Sequence, residues 1–219
     1  MKNNDIKYIF LRHGKLDLPY KDHSEMPLSV LIEVAGGKIS PSIDVLFLNE
    51  KLLKLEPFLN NIDTVVTSSM KRGVETGKII HKFIKEKRKK DIGFFIEDNL
   101  KEVSFNLEKI VDGLDYIPNI SQINDLVYGA ICELGERAEN FDSVFNRVKE
   151  VIKKYNIDDK VVLIITHSFL LEVMEMFIKN KNNKNFIGNY DELSKTKSVF
   201  YLSGFTTDKD LNIINFINV

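Results

Sequence analysis

The sequence predicts an α/β fold in three layers (α/β/α), with helices on both faces of a mainly parallel sheet. Short apolar runs that suit buried strands alternate with longer segments whose apolar residues recur at helical spacing. The run 161–165 is apolar at every position, which is typical of a central strand covered on both faces. Segment 141–155 has the clearest helical periodicity in the chain.

The first half of the chain contains three predicted strands. The first covers the apolar run 8–11 and ends in Arg12-His13, where Gly14 lets the backbone turn sharply. The others are the β-branched segment 63–67 and the segment 93–96. Between them, helices are predicted over 27–34, 46–59 and 70–87, the last after the capping hydroxyls of Ser68-Ser69.

For the second half of the chain, the sequence predicts three helices and three strands. Segment 119–139 is interpreted as a packed helix, with a lid over a site as the alternative. Helix 141–155 leads to strand 161–165, and helix 169–179 follows that strand. Two closing strands are predicted over 198–203 and 211–216, joined by a turn over 206–210.

The composition is that of an ordinary soluble globular protein, with 219 residues, 43% apolar and 29% charged. No repeat or low-complexity linker divides it, so one domain over 1–219 is predicted, with 20–45 and 105–138 as pocket walls or lids. His23 lies in the first of these and is interpreted as an exposed loop residue. The sequence does not determine the oligomeric state and is compatible with a homodimer.

Charge and cysteine content exclude several functional classes. A net charge of −1 provides no global field for nucleic acid or an anionic membrane, and the basic run 85–90 is interpreted as a solvated helix end. Cys132 is the only cysteine, so neither an intrachain disulfide nor a cysteine-built zinc site is expected. The sequence has no apolar run of about 18 residues and no visible signal peptide, so we expect a cytoplasmic protein.

Polar residues gather at the ends of the predicted strands. They are Arg12 and His13 after the first, Ser68 and Arg72 after the second, Glu102 after the third, and His167 after the central strand. Ligands of parallel sheets bind beyond the carboxyl ends of the strands. Guanidinium groups match phosphate oxygens, and histidine can act as a nucleophile. The set therefore indicates a phosphate site with acid–base groups.

Four segments resemble the histidine phosphatase superfamily, which has the phosphoglycerate-mutase-like fold. They are Leu11-Arg12-His13-Gly14, the segment 68–76 with its Ser-Ser-x-x-Arg, Leu100-Lys101-Glu102 and Thr166-His167-Ser168. Their order and spacing are those of the family. The resemblance extends over residues 11–168.

The resemblance implies a role for each residue. His13 would attack phosphorus and carry the phosphoryl group, and Glu102 would protonate the leaving oxygen and then activate water. Arg12, Arg72 and His167 would bind the phosphoryl oxygens, and Ser68 is a further phosphate-binding candidate. No metal or other cofactor is implied, since the arginines provide the positive charge. Three other carboxyl groups compete with Glu102 for the acid role, namely Glu97, Asp98 and Glu108.

The chain departs from the family at three places. Lys15-Leu16 replaces the usual acid and hydroxyl residue, Ser168 replaces a glycine, and Phe105-Asn106-Leu107-Glu108 stands where a tryptophan-containing stretch is common. None of these changes removes a reacting group.

The sequence therefore predicts a metal-independent phosphatase for a small phosphorylated metabolite, releasing inorganic phosphate. Phosphoglycerate-mutase-type transfer is the first alternative, although residues 110–120 contain no lysine or arginine to hold a bisphosphate. An inactive binding protein on the same fold is the second. Nucleic-acid binding through 85–90 is disfavoured, since that run lacks interleaved aromatic residues.

Overall fold

A computed structural model describes residues 5–20, 25–114, 116, 118–133, 136–157, 159–182, 188–196 and 200–219. His23 lies outside these residues. The described residues form one sheet whose strands are β1 (Tyr8–Arg12), β2 (Ile62–Ser68), β3 (Gly93–Glu97), β4 (Val161–Thr166), β5 (Gly204–Thr207) and β6 (Ile213–Ile217).

The strand order across the sheet is β3-β2-β4-β1-β5-β6. β3, β2, β4 and β1 are mutually parallel, whereas β5 pairs antiparallel with β1 and β6 pairs antiparallel with β5. The predicted α/β class is confirmed, and the antiparallel pair occupies one side of an otherwise parallel sheet.

Helices surround this sheet. In chain order they are α1 (Leu28–Ala35), α2 (Val45–Leu59), α3 (Lys71–Arg88), α4 (Leu107–Val111), α5 (Ile120–Cys132), α6 (Phe141–Lys154), α7 (Ser168–Asn180) and α8 (Tyr190–Ser194). A 3-10 turn at Asp98–Leu100 follows β3.

Two hydrophobic cores lie on the two faces of the sheet. Alternate residues of β1 enter different cores, with Tyr8 and Phe10 in one and Ile9 and Leu11 in the other. The first core contains residues of α4 to α8, and the second contains residues of α2 and α3. Because both faces are covered, the central strands β1 and β4 have continuous apolar runs, and the molecule has three layers.

The two ends of α3, the helix that follows β2, have distinct features. Gly73 lies so close to β2 that a Cβ there would be 2.9 Å from the Ser68 Cβ, so this helix start requires glycine. The other end carries Lys85, Lys87 and Arg88 in its last turn and closes with Lys89 in the left-handed conformation. Cations favour the negative pole of a helix, which agrees with the interpretation of 85–90 as a helix end.

α5 is shorter than predicted. It begins with a capping box between Asn119 and Gln122, as the prediction of a start at 119 requires, but it ends at Cys132 rather than 139. Ala138 pairs instead with Phe105 in an isolated antiparallel bridge, supported by a hydrogen bond from Asn106 N to Arg137 O. Pairing between these two segments of the chain takes the place of the last predicted helical turns.

The predicted closing strands are partly wrong. Strand β5 begins at Gly204 rather than 198, and residues 197–199 lie outside the described part of the chain. Residues 200–203 form a turn in which Ser203 N donates to Phe200 O, and the predicted turn over 206–210 lies at 208–211. A Cβ at Gly204 would lie 1.9 Å from the Phe10 carbonyl oxygen, so β5 approaches β1 where a side chain is missing.

No helix within the described ranges is both long enough and apolar enough to cross a membrane.

Candidate active site

The carboxyl ends of β1, β2 and β4 bring four of the predicted site residues together. Arg12 ends β1 opposite Thr166 of β4, and His13 N donates to Thr166 O at 2.9 Å. This pairing places the His13 and His167 rings with their centroids 5.0 Å apart. Arg72 reaches both rings from the first turn of α3.

The hydrogen bonds of His13 identify its tautomer. Nδ1 lies 2.8 Å from Gly14 O, and because a carbonyl oxygen only accepts, Nδ1 carries the proton. Nε2 is therefore the nitrogen with a free lone pair, and it accepts a hydrogen bond from Arg72 Nε at 3.1 Å. The ring is only 3% exposed. His13 thus presents a nucleophilic nitrogen to a guanidinium.

His167 has the opposite arrangement. Its Nδ1 accepts from the same Arg72 Nε at 3.2 Å, so its proton lies on Nε2 and is donated to Ser68 Oγ at 2.8 Å. Ser68 Oγ also accepts from Met70 N at 3.2 Å. One Arg72 N–H is therefore shared between two imidazole acceptors, and the Ser68 hydroxyl fixes the second ring.

The surroundings keep both imidazoles uncharged. Burial lowers the pKa of His13 well below its usual range, and the neighbouring His167, Arg72 and Arg12 lower it further. Burial likewise lowers the pKa of His167, followed by the charges of Arg72 and Arg12. Arginine keeps its charge even where it is buried. The site therefore combines neutral nitrogen bases with two permanent cations.

Arg12 lies over an aromatic ring that the sequence did not single out. Its guanidinium carbon is 4.3 Å from the centroid of the Tyr201 ring, a cation–π distance. The same ring lies 5.8 Å from that of His13. Tyr201 belongs to the turn that was predicted as a strand, so its place beside the site could not be inferred.

The carboxyl of Glu102 is held by main-chain donors. Its Oε1 accepts from Val103 N at 3.0 Å and from Leu170 N at 3.1 Å. Burial raises the pKa of Glu102, whereas the charge of Arg72 acts in the opposite direction. A partly buried carboxyl whose pKa is raised and which still interacts with a guanidinium is suited to donate and recover a proton.

The competing carboxyl groups are engaged elsewhere or exposed. Glu97 binds Lys154 and Tyr155, Asp98 binds Ser69 and Lys101, and the side chain of Glu108 points to the surface. Glu102 is therefore the candidate acid that lies within electrostatic reach of Arg12 and Arg72.

Two further charged residues near Glu102 were missed, one partly buried and one buried. Arg147 on α6 donates to the Glu102 carbonyl oxygen at 3.3 Å. Glu172 on α7 is 3% exposed and accepts from the Tyr128 hydroxyl at 3.0 Å, and burial raises its pKa to about 8. Neither residue belongs to a motif, and in the sequence each reads as an ordinary charged helix position.

The segment that departs from the family follows His13 directly and is held by residues 43–44. Leu16 is buried and pairs with Ile43 in an isolated bridge, and Asp44 N donates to Lys15 O at 2.7 Å. Glu75 Oε2 accepts from Ile43 N at 3.0 Å. The end of the predicted pocket wall 20–45 is thereby attached to the start of α3.

The arrangement has the parts of a phosphoryl-transfer site. A neutral nitrogen lone pair, two guanidiniums and the Glu102 carboxyl converge at the carboxyl edge of the sheet, where α7 also begins at Ser168 with the positive end of its dipole. Within the described ranges, no cluster of three or more histidine, cysteine, aspartate or glutamate residues could hold a metal ion.

No protein-family model and no curated protein sequence matches the chain. Solved structures do match. Phosphoserine phosphatase from Entamoeba histolytica, in complex with 3-phosphoglyceric acid, is 13% identical with a TM-score of 0.58, over 97% of this chain and 96% of that one. Phosphoglycerate mutase from Bacillus anthracis is 15% identical with a TM-score of 0.55, over 99% and 95%.

A third match is the mycobacterial glucosyl-3-phosphoglycerate phosphatase, 16% identical with a TM-score of 0.54, over 89% of this chain and 85% of that one. This chain has the phosphoglycerate-mutase-like fold of the histidine phosphatases. The resemblance drawn from the four sequence segments is confirmed at the level of the fold. In the phosphoglycerate-mutase-like fold of this chain, His13 and His167 follow the two adjacent central strands β1 and β4.

Proposed function

We propose that this protein is a phosphatase that hydrolyses small phosphomonoesters through a phosphohistidine at His13. The observation that carries the proposal is the tautomer of His13. Its proton is held on Nδ1 and donated to Gly14 O, and the lone pair of Nε2 accepts from the guanidinium of Arg72. A neutral imidazole nitrogen beside permanent cations is what attack on an anionic phosphate requires.

Substrate binding would first displace the hydrogen bond between Arg72 and His13. A lone pair that accepts a hydrogen bond cannot at the same time attack phosphorus. The phosphate would therefore take over the Arg72 donors and leave Nε2 of His13 facing phosphorus. Arg12, stacked on Tyr201, supplies the second guanidinium, so neutralisation of the phosphoryl charge needs no metal in this scheme.

In the first chemical step, the N–P bond to Nε2 of His13 forms while the bond from phosphorus to the leaving oxygen breaks. Protonated Glu102 gives its proton to that oxygen, and Gly14 O stabilises the positive charge on the phosphorylated ring through Nδ1–H. In the second step, water attacks phosphorus while the N–P bond to Nε2 of His13 breaks, and Glu102 takes a proton from the water. Inorganic phosphate leaves, and His13 returns to its starting tautomer.

His167 would change its protonation during the reaction. In the structure its Nδ1 accepts from Arg72, and its Nε2 proton is donated to Ser68 Oγ. A hydrogen bond from Nδ1 to a phosphoryl oxygen requires a second proton on this ring. The negative charge of a bound phosphate favours that protonation and offsets the burial that lowers the pKa of His167. The Ser68 hydroxyl would contribute to phosphate binding indirectly, by orienting the His167 ring.

Trapping the intermediate tests the proposal. Wild-type protein incubated briefly with a 32P-labelled phosphomonoester and quenched in alkali should retain label, because phosphohistidine survives alkali and is lost in acid. His13→Ala should retain none and should lose turnover of p-nitrophenyl phosphate. His81→Ala is the matched control, since His81 lies at the edge of α3 and bonds to Ile92 O. Labelling of His13→Ala equal to wild type would refute the nucleophile assignment.

Leaving-group dependence tests the acid. In kcat/KM, which reports the transfer to His13 alone, Glu102→Gln should lose about 100-fold or more on alkyl phosphates and far less on p-nitrophenyl phosphate, because nitrophenolate leaves without a proton. Equal losses on both substrates would contradict the acid role of Glu102.

Mutase-type transfer is the second candidate, because one of the matched structures is a phosphoglycerate mutase. The lack of lysine and arginine in residues 110–120 favours hydrolysis. Incubation with 3-phosphoglycerate and 2,3-bisphosphoglycerate separates the two, since isomerisation faster than phosphate release would identify a mutase. Phosphate binding without turnover would identify the inactive binding protein.

A further inference from the structure

The segment that carries Glu102 has no regular secondary structure of its own. It lies between the 3-10 turn at Asp98–Leu100 and α4, which begins at Leu107. Its position therefore depends on side chains from neighbouring elements. Thr166 at the end of β4 contributes one such bond, from Oγ1 to Leu100 O at 2.7 Å.

Arg147 of α6 supplies three more bonds to the same segment. Its Nη1 donates to Asn99 O at 2.6 Å and to Lys101 O at 2.8 Å, and its Nη2 donates to Glu102 O at 3.3 Å. One guanidinium thus binds three carbonyl oxygens within four residues, one of them that of Glu102 itself. Its side chain is only 16% exposed.

Glu139 orients this guanidinium. Its two oxygens accept from Arg147 Nε at 2.9 Å and from Nη2 at 3.0 Å, a two-point pair that fixes the plane of the fork. Glu139 is itself held by Ser143 Oγ at 2.8 Å and by Ser104, whose N and O both bond to it. The Arg147 pair pulls the pKa of Glu139 below its usual range despite partial burial, so both partners stay charged.

The Glu102 residue is therefore held at both ends. Arg147 holds its main-chain carbonyl, and Leu170 N at the start of α7 holds its carboxyl. α7 begins directly after His167, so the bond from Leu170 N fixes the position of the Glu102 carboxyl relative to the imidazoles. The bond from Arg147 of α6 fixes the position of the Glu102 main chain.

We propose that Arg147, oriented by Glu139, is a positioning residue that sets the Glu102 carboxyl against the leaving oxygen of the substrate. This inference rests on the proposed phosphatase function. Its hydrogen bonds go to Glu139 and to the carbonyl oxygens of the Glu102 segment, so it acts through the backbone of the acid. A shift of about 1 Å in a catalytic group can cost about 100-fold in rate.

Two variants separate the geometry of Arg147 from its charge. Arg147→Met removes the charge and the fork, whereas Arg147→Lys keeps the charge but cannot bind Glu139 and three carbonyl oxygens at once. Arg137→Met is the matched control, because Arg137 forms an exposed ion pair with Glu133. Thermal unfolding of each variant confirms that the protein assayed is folded.

The readout is kcat/KM for an alkyl phosphate and for p-nitrophenyl phosphate. Both Arg147 variants should lose about 10-fold to 100-fold on the alkyl phosphate and less than about 3-fold on the aryl phosphate. The control should match wild type on both. Wild-type values in Arg147→Lys, or equal losses on both substrates, would overturn the positioning assignment.

A second measurement needs no turnover. Carboxyl 13C NMR, with the Glu102 signal assigned by its loss in Glu102→Gln, follows the titration of this group directly. In Arg147→Met the carboxyl should become more accessible to water, so its pKa should fall toward the ordinary value. An unchanged titration would overturn the proposal. If wild-type protein hydrolyses neither phosphate, the proposed function fails, whereas this titration still decides the positioning role.

Discussion

Replacing Arg72 by lysine is the sharpest test of how the two imidazoles and the phosphate share one donor group. Arg72 Nε donates to His13 Nε2 at 3.1 Å and to His167 Nδ1 at 3.2 Å from a buried position. Lysine keeps the charge but concentrates it at one nitrogen without a planar fork. The substitution therefore removes geometry rather than charge.

The size of the effect follows from the two hydrogen bonds that the guanidinium fork would donate to the phosphate after leaving the imidazoles, which lysine cannot reproduce. A hydrogen bond to or from a charged group contributes about 1.5–3 kcal/mol, so two of them correspond to about 3–6 kcal/mol. At about 1.4 kcal/mol per factor of ten, we expect Arg72→Lys to lower kcat/KM about 100-fold to 10,000-fold. Most of the loss should lie in kcat, because the fork binds charge that develops during transfer.

The assay is steady-state hydrolysis of p-nitrophenyl phosphate, with phosphoenzyme trapping alongside it. Lys71→Ala is the control, since Lys71 is the exposed neighbour of Arg72 and its loss removes a cation from the same helix turn. The control should retain wild-type kinetics. A folded Arg72→Lys protein within about 3-fold of wild type would refute the reasoning, because a point charge would then suffice.

Two further predictions concern stability. Gly204→Ala should destabilise the protein by about 3 kcal/mol or more, because the new Cβ would lie 1.9 Å from the Phe10 carbonyl oxygen. Gly129→Ala in α5 places its Cβ with no atom within 4 Å and should stabilise the protein by about 1 kcal/mol. Urea unfolding measures both free energies, and similar effects at the two sites would contradict the reasoning. Burial raises the pKa of Glu172 to about 8, so between about pH 4 and pH 8 the folded state holds a proton that the unfolded chain releases. The free energy of unfolding should therefore fall over this range, by up to about 1.4 kcal/mol per pH unit. Glu172→Gln should flatten that part of the pH profile, and an unchanged slope would show that another group is responsible.

The central sheet was predictable because a strand that is buried on both faces requires an uninterrupted run of apolar residues. The apolar runs at β1 and β4 correspond to strands whose alternate residues enter two different cores. Once these strands are parallel, their polar ends must lie at one edge, and Arg12, His13 and His167 follow from that geometry.

The missed features depend on main-chain groups and on pairing between distant segments. The bonds from Arg147 end on carbonyl oxygens, which every residue has, so no sequence pattern marks them. α5 ends early because Ala138 pairs with Phe105, a contact that helical periodicity does not record. The closing strand was misplaced because apolar residues around 200–202 resemble a strand although they form a turn beside His13, where Leu202 N donates to His13 O.

The position of β1 in the sheet has a consequence for folding. This strand lies between β4 and β5, so Tyr8 pairs with Val162 on one side and with Thr207 on the other. Its partners come only from the last third of the chain, and such long-range pairing is slow because large loops must close first. Partly folded chains therefore lack the edge at which His13 meets Arg72. Ability to bind phosphate should thus report completed assembly of the whole sheet, rather than formation of any single helix–strand unit.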